Sequence, residues 1–474
     1  MPSIYIETFG CQMNESDSQH IAERAIAAGY RVAAAPEEAN VVVLNTCTVR
    51  DNAERRAYGR MNHLNALKRA NPSVRLVVTG CLAEQDRDRM RRRAPHVDAI
   101  FGTRELAQLG DQLAAWEPNF ADLDFSDDRL LVEPLGGTAD GVAGAFSMLR
   151  AFVTVQRGCS YYCTFCIVPH VRGRFDHRRD ADIVDETRSR VDAGAREVCL
   201  VGQTVNAWRD PVSGADFGDL CRNVASTTGV ERLSFISPHP KDFTDKVLDD
   251  LAEIVALNPR IHLPLQSASD PMLRRMNRKY TLAHFDSIVA KIRQRMPHAA
   301  ITTDLIVGFP GETEDDFCAT LAYVRSGVFA NAFSFIYSIR RGTPAAHWEQ
   351  VPREVALDRF GRLIDVQNAV TRAYHERYVG TTRRVLICGD SKKDARRLAA
   401  KAPDNVTVVA DKPADYPQAL HIENHPYAST PWLDVAVEHA HVWGCTGRIV
   451  GRAARYDAPA EPVMQPLLDL TVTR

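Results

Sequence analysis

The chain has 474 residues, more than one ordinary core holds, so two or three domains are expected. Its net charge of −2 excludes a global basic field, so any nucleic acid must be held by a local patch. No apolar run approaches the ~20 residues of a membrane span. The first dozen residues lack the basic-then-apolar pattern of a secretory signal, and the 11 cysteines, an odd number, argue against a disulfide framework. The expectations are a cytoplasmic location, no membrane, and metal or redox chemistry for any cysteine cluster.

"SIYIETFG" predicts a strand and "ESDSQHIAERAIAAG" a helix. "NVVVLNT" with "VRDNAERRAYGRMNHLNALKRA", then "VRLVVTG" with "AEQDRDRMRRRA", repeat the pair, and "VDAIFGT" adds a fourth strand. Short β-branched runs alternating with helices make a parallel sheet. This N-terminal α/β domain is assigned to 1–125, and the Gly/Ala-rich stretch 126–148 is a linker. Over 149–376 a second series has candidate strands "AFVTVQ", "EVCLVG", "RLSFIS", "RIHLPLQ", "ITTDLIVG" and "AFSFIYS". Six βα units suggest a partial (β/α)6 barrel of parallel strands, with its site at their C-terminal ends, closed by a helix at about 353–378. Within 377–453, "RRVLICG", "VTVVAD", "LDVAVEHAHV" and "GCTGRIVGR" read as strands of a small β-barrel, and 454–474 is a tail.

"RGCSYYCTFCIVPHVRGR" sets Cys159, Cys163 and Cys166 at C-x3-C-x2-C spacing, directly after the first strand of the second series. Three thiolates on one tight loop can bind three irons of a [4Fe–4S] cluster and leave the fourth open to a small molecule. A zinc site would want a fourth ligand, for which His170 is the candidate. Cys11, Cys47 and Cys81 each follow a predicted strand and precede a helix, 36 and 34 residues apart. C-terminal ends of parallel strands share one edge of a sheet, so the three can meet. Helix N-termini there favour an anionic cluster, and a second cluster is expected. Simple core packing is the competing reading and suits Cys199, Cys221, Cys318, Cys388 and Cys445 better. "RRVLICGDSKKDARRLAAK" gathers Arg383, Arg384, Lys392, Lys393, Arg396, Arg397 and Lys401. It reads either as a patch that tracks phosphates or as a solvated charged strand and loop.

The cysteine loop on six βα units resembles the radical S-adenosylmethionine (SAM) enzymes. The resemblance implies that the open iron chelates SAM, whose cleavage gives a 5′-deoxyadenosyl radical. Phe165 matches the aromatic that contacts adenine in such loops. Gly202 and Gln203, in "LVGQTVNAW", are candidates to hold the methionine amino group. Gln266 and Ser267, in "LPLQSASD", follow the fourth strand. "DLIVGFPGET" follows the fifth, with a helix cap near Thr313 and Glu314 in its first turn. With "GCQMNESDS", "LNTCTVRDNAERRAYG" and "GTTRRVLICGDSKKD" added, residues 3 to 450 resemble the methylthiotransferases, in particular their tRNA-modifying MiaB branch.

That resemblance implies two [4Fe–4S] clusters, the auxiliary one on Cys11, Cys47 and Cys81. It also implies SAM, an RNA-binding TRAM barrel, and insertion of methylthio at carbon 2 of N(6)-isopentenyladenosine. The implied partners are tRNA, through the anticodon stem-loop bearing that base, and an electron-donor protein. "AAKAPDN" departs from the Ser-Gly-Arg turn of many members. Alternatives within the family act on a threonylcarbamoyl-adenosine in tRNA or on a ribosomal protein aspartate. An alternative of another class is a non-catalytic iron–sulfur or zinc protein that binds RNA.

Overall fold

The computed structural model describes residues 1–48, 51–116, 149–391, 393–414, 416 and 430–456, so the expected linker and most of the expected tail lie outside the described residues. The chain forms two compact units. Among the described residues, the first holds 1–48, 51–116, 157–160 and 167–175, and the second holds the rest.

The first unit is a five-stranded sheet in the order β2-β1-β3-β4-β5. Its strands are β1 (Ser3–Thr8), β2 (Arg31–Val32), β3 (Val41–Thr46), β4 (Arg75–Gly80) and β5 (Ala99–Phe101). Every pairing is parallel. All six residues of β3 are buried, as expected of a strand covered on both faces. Alternate side chains point to opposite faces. Val42, Leu44, Leu76 and Val78 pack with Ala57, Met61 and Leu64 of α2 (Asp51–Ala70) and Leu82 and Met90 of α3 (Cys81–Arg93). Ile4, Ile6, Val41 and Val43 pack with Ile21, Ala22 and Ala25 of α1 (Gln12–Ala27) and Leu109 and Leu113 of α4 (Leu106–Trp116). The expected "VDAIFGT" strand is β5, at one edge. The two-residue β2 at the other edge was not expected from its pattern.

Segment 167–175, with the short α5 (Val168–Val171), belongs to this unit. Ile167 and Val171 pack on Cys81, and Thr103 Oγ1 donates to the Val171 carbonyl at 2.5 Å.

The second unit contains six parallel strands in two sheets. One is β10 (Arg232–Phe235), β9 (Glu197–Val201) and β6 (Arg150–Thr154), and the other is β11 (Arg260–His262), β12 (Ala300–Val307) and β13 (Asn331–Ile336). The two-residue strands β7 (Gln156–Arg157) and β8 (Asp176–His177) flank the cysteine loop in sequence. Helices α6 (Asp180–Asp192), α7 (Phe217–Thr227), α8 (Asp245–Glu253), α9 (Asp270–Arg275), α10 (Leu282–Arg295) and α11 (Glu314–Arg325) run between the strands. They share one apolar core with them, centred on Val198, Leu200, Leu233, Ile261 and Leu305. This is the partial barrel read from the βα repeats. The expected cap is present: Thr313 and Asp316 form a capping box at the start of α11. The long helix is α12 (Arg353–Glu376).

The same unit includes a closed five-stranded barrel, β14-β15-β16-β18-β17. Its strands are β14 (Thr382–Ser391), β15 (Asp394–Lys401), β16 (Thr407–Asp411), β17 (Trp432–His441) and β18 (Gly444–Ala453). Four strands were expected; the fifth, β15, is the "DARRLAAK" run that sequence left between strand and loop. The barrel docks through Trp432, whose Nε1 donates to Glu231 at 2.7 Å while Arg232 lies 5.3 Å from its ring. Among the described residues no helix is long and apolar enough to cross a membrane.

Candidate active site

Cys11, Cys47 and Cys81 lie just beyond the C-terminal ends of β1, β3 and β4, which are consecutive neighbours in the sheet. Neighbouring strands stand about 4.8 Å apart, so one βα unit of sequence becomes one strand of distance. Cys11 is the N-cap of α1 and Cys81 the first residue of α3, which aims two helix N-termini at the group. Gly10 and Gly80 precede them at φ +124° and +98°, a region that favours glycine. A side chain at Gly10 would meet the Cys47 Cβ at 2.4 Å, so the Gly10 backbone lies close against the Cys47 side chain.

Asn14 ties the site together. Its Nδ2 donates to the carbonyls of Phe9 at 2.8 Å and Thr46 at 3.0 Å, pinning α1 to two strand ends. Its Oδ1 accepts from Arg172 Nη2 at 3.0 Å and lies 3.8 Å from the Cys11 sulfur. Arg172 Nε donates to the Cys81 sulfur at 3.3 Å. Burial pushes the Cys81 thiol up, and Arg172 opposes that shift. Asp17 closes the set, accepting from Arg172 at 2.8 Å and Arg157 at 2.7 Å. Burial would raise its carboxyl, but the two guanidiniums win and hold it low. None of the three cysteines is in a disulfide, and the buried Arg172 Nη1 has no partner among the described residues. Soft sulfur donors, helix N-termini and an unspent cationic N–H fit an iron–sulfur cluster.

In the radical loop, Cys159 belongs to the first unit, where its amide donates to the Gly173 carbonyl at 3.0 Å. Residues 161–166 belong to the second. There Tyr162 takes φ +51°, and its carbonyl accepts from Asn277 Nδ2 at 2.9 Å. The Thr164 amide and hydroxyl donate to the carbonyls of Met276 at 3.1 Å and Arg275 at 2.9 Å. The Cys166 amide donates to the Cys163 carbonyl at 2.9 Å, closing a turn. Arg278 Nη1 stands 3.5 Å from the buried Cys163 sulfur and is anchored by Nη2 to the Pro264 carbonyl at 2.9 Å. Cys163 and Cys166 thus sit in a loop shaped by backbone bonds, and His170, the candidate fourth ligand of a zinc site, is exposed.

Two family models match the chain: "Uncharacterized protein family UPF0004" over residues 3–102 and "Radical SAM superfamily" over 153–324. The tRNA-2-methylthio-N(6)-dimethylallyladenosine synthase of Acidothermus cellulolyticus is 44% identical over 84% of this chain and 81% of its own length. That of Thermobifida fusca has the same identity and the same two coverages. The chain belongs to the radical SAM methylthiotransferase family, of the MiaB type. It is therefore an enzyme that uses a [4Fe–4S] cluster and SAM. The radical SAM methyltransferase TsrM of Kitasatospora setae shares the fold alone, with a TM-score of 0.53 and 15% identity over 73% of this chain and 75% of that one.

For a methylthiotransferase, the remaining expected site residues divide clearly. Phe165 packs with Met272, Met276, Phe309 and Ala345, its ring 6.2 Å from that of Phe309. Gly202 leaves room that a Cβ would fill against Gln156, at 2.9 Å from its Oε1, and the half-buried Gln203 follows it. Gln266 takes φ +74° beyond β11, a costly conformation for a side chain. Ser267 is a correction. It is fully buried, its hydroxyl 3.2 Å from that of Thr320 and accepting from the Ser269 amide, so it braces the loop instead of facing a ligand.

Sequence reading missed Arg172, Arg278 and His239. The first lies inside the quoted "VPHVRGR", but nothing in that run reveals a contact 91 residues away. His239, in "SPHP" after β10, stands 4.7 Å from the Tyr161 ring. Burial first, then Arg278 and Lys241, hold its imidazole down to about 2, so it is neutral. Its Nδ1 accepts from the Lys241 amide, and its buried Nε2 has no partner among the described residues.

The basic run on the barrel is corrected in part. Arg383 is buried against Asp404, at 3.2 Å, with the Tyr378 ring 3.8 Å away, so it cannot reach a phosphate. Lys401 turns inward to Thr407 Oγ1 at 2.8 Å, and burial pushes its ammonium down. Arg384 is clamped in a two-bond pair with Asp434. Lys392 lies outside the described residues. Lys393, Arg396 and Arg397 remain accessible, the last two beside Asp394 and Asp411. Arg397 also lines a cavity of about 590 Å³ with His439, Arg448 and Arg452. Elsewhere, Asp216, Asp219 and Asp250 come together, but Lys246 bridges all three.

Proposed function

We propose that the chain methylthiolates carbon 2 of N(6)-isopentenyladenosine in the anticodon stem-loop of tRNA, taking electrons from a reductant protein. Relatives at 44% identity over most of their length carry that activity in their names. The observation that supports the reading is the position of Cys11, Cys47 and Cys81 just beyond the C-terminal ends of three neighbouring parallel strands.

Cys159, Cys163 and Cys166 would hold the radical-generating cluster, and Cys11, Cys47 and Cys81 an auxiliary cluster. When bound, these groups and SAM supply a hydrogen-abstracting radical and a transferable sulfur; an aromatic C–H has too little acidity for base catalysis. The protein's part is positioning. Asn277, Met276 and Arg275 fix the loop that carries Cys163 and Cys166. Phe165 and Gly202 would shape the SAM site, with Gln203 and Gln266 as its polar contacts. Asn14 and Arg172 hold the N-terminal thiols in one arrangement. On the barrel, Lys393, Arg396 and Arg397 would contact tRNA phosphates.

Nucleoside mass spectrometry of tRNA from cells lacking the protein tests the substrate. Loss of the 2-methylthio group with retention of isopentenyladenosine is expected. Persistence of the group in a strain with no second such enzyme would refute it, and loss of a methylthiolated threonylcarbamoyl-adenosine would move the substrate to that base.

A further inference from the structure

We infer that Arg172 is a positioning residue for the N-terminal sulfur centre: Nε donates to the Cys81 sulfur, and the unspent Nη1 N–H donates to sulfur of the bound group, making that centre easier to reduce. The inference rests on the auxiliary-cluster reading above.

Arg172 is only 6% exposed. Its donors are assigned with one exception. Nε serves the Cys81 sulfur at 3.3 Å, and Nη2 serves Asp17 at 2.8 Å and Asn14 at 3.0 Å. Nη1 is buried with no acceptor among the described residues. A buried cationic N–H without a partner is costly, so its persistence points to an acceptor that binds beside it. Neighbouring groups make that acceptor anionic. Asp17 is shared by Arg172 and Arg157, so two guanidiniums face one carboxylate and a net positive charge remains near the Cys81 sulfur.

Arginine suits this task because its planar fork serves a sulfur and a carboxylate together, which one ammonium cannot do. Hydrogen bonds to cluster sulfurs and nearby positive charge raise a cluster's reduction potential, because the reduced state carries more negative charge. Arg172 also lies six residues beyond Cys166. The segment continuing from the radical-loop cysteines therefore supplies the cation of the N-terminal centre.

The test uses the full chain with Cys159, Cys163 and Cys166 all changed to Ala, so that only the N-terminal centre remains. It is reconstituted anaerobically with iron and sulfide, and iron content and an EPR-monitored redox titration are read. Arg172→Gln should keep about four irons. At a fixed potential its reduced-to-oxidised ratio should fall about tenfold, a midpoint about 59 mV lower for a one-electron couple. Arg172→Lys should shift in the same direction by less. Arg157 pairs with Asp17 and has no hydrogen bond to Cys81, so Arg157→Gln should lower the midpoint by clearly less than Arg172→Gln does. An unchanged midpoint in Arg172→Gln, or an equal shift in Arg157→Gln, overturns the inference. Should Arg172→Gln take up no iron, Arg172→Lys decides: a lowered midpoint supports the role and an unchanged one overturns it. If the parent itself binds no iron, the auxiliary-cluster reading fails and this inference with it.

Discussion

Replacing Gly10 with Ala should damage the N-terminal centre selectively. The added Cβ would stand 2.4 Å from the Cys47 Cβ, 2.9 Å from its sulfur and 3.3 Å from Asn14 Nδ2. Apolar atoms rest about 3.5–4.0 Å apart, so Cys47 or the β1–α1 turn must yield by roughly 1 Å. Overpacking of this kind costs about 1–3 kcal/mol. The backbone adds to it: φ is +124°, and a left-handed conformation costs an L-residue about 1–2 kcal/mol. The sum is about 2–5 kcal/mol, concentrated against Cys47 and one residue before Cys11. Gly59 is the control, since a Cβ there meets nothing within 4 Å. In the exposed face of α2, Gly59→Ala should stabilise by up to about 1 kcal/mol. Urea denaturation reads the stability of both variants, and iron analysis after anaerobic reconstitution reads the centre. Gly10→Ala should lose roughly half of about eight irons while SAM cleavage persists. A Gly10→Ala protein as stable as Gly59→Ala, with all its iron, would refute the reasoning.

Cys11→Ala should leave SAM cleavage to 5′-deoxyadenosine largely intact and abolish methylthio insertion; loss of both by product analysis would indicate a folding role instead. Burial raises the Glu197 carboxyl, but Arg232, Arg150 and Ser234 outweigh it and hold it at about 2, below its ordinary 4.5. A depressed pKa gives stability that is full above about pH 4.5 and lost as pH falls toward 2, amounting to about 3 kcal/mol at neutral pH. Glu197→Gln should therefore lower the neutral-pH melting temperature and flatten the acid limb of stability against pH; an unchanged acid limb would contradict this. Changing both Arg396 and Arg397 to Ala should weaken tRNA binding and reduce the slope of log affinity against log salt by about 1–2. Binding with an unaltered slope would remove these residues from the interface.

How much of this was legible in sequence depends on the range of the forces involved. Strand, cysteine and helix N-terminus follow one another in the chain, so the positions of Cys11, Cys47 and Cys81 could be read from local pattern and the rules of parallel sheets. The Thr313 cap was legible for the same reason. The barrel was less so. In β14, Arg383 and Arg384 are neighbours in sequence, but strand geometry sends them to opposite sides, one into a buried pair with Asp404 and the other to Asp434. A run of basic letters does not say which side faces in. Ser267 failed because a hydroxyl beyond a strand reads the same whether it faces a ligand or, as here, Thr320. Arg172 was invisible because its partners, Asn14, Asp17 and Cys81, are brought to it only by folding.

The most direct test of the central claim is iron and acid-labile sulfide analysis of the full chain after anaerobic reconstitution, repeated with each cysteine trio changed to Ala. Two [4Fe–4S] clusters predict about eight irons and eight sulfides per chain, falling to about four when either trio is removed. About four irons in the unaltered chain, or stoichiometric zinc in their place, would contradict the account.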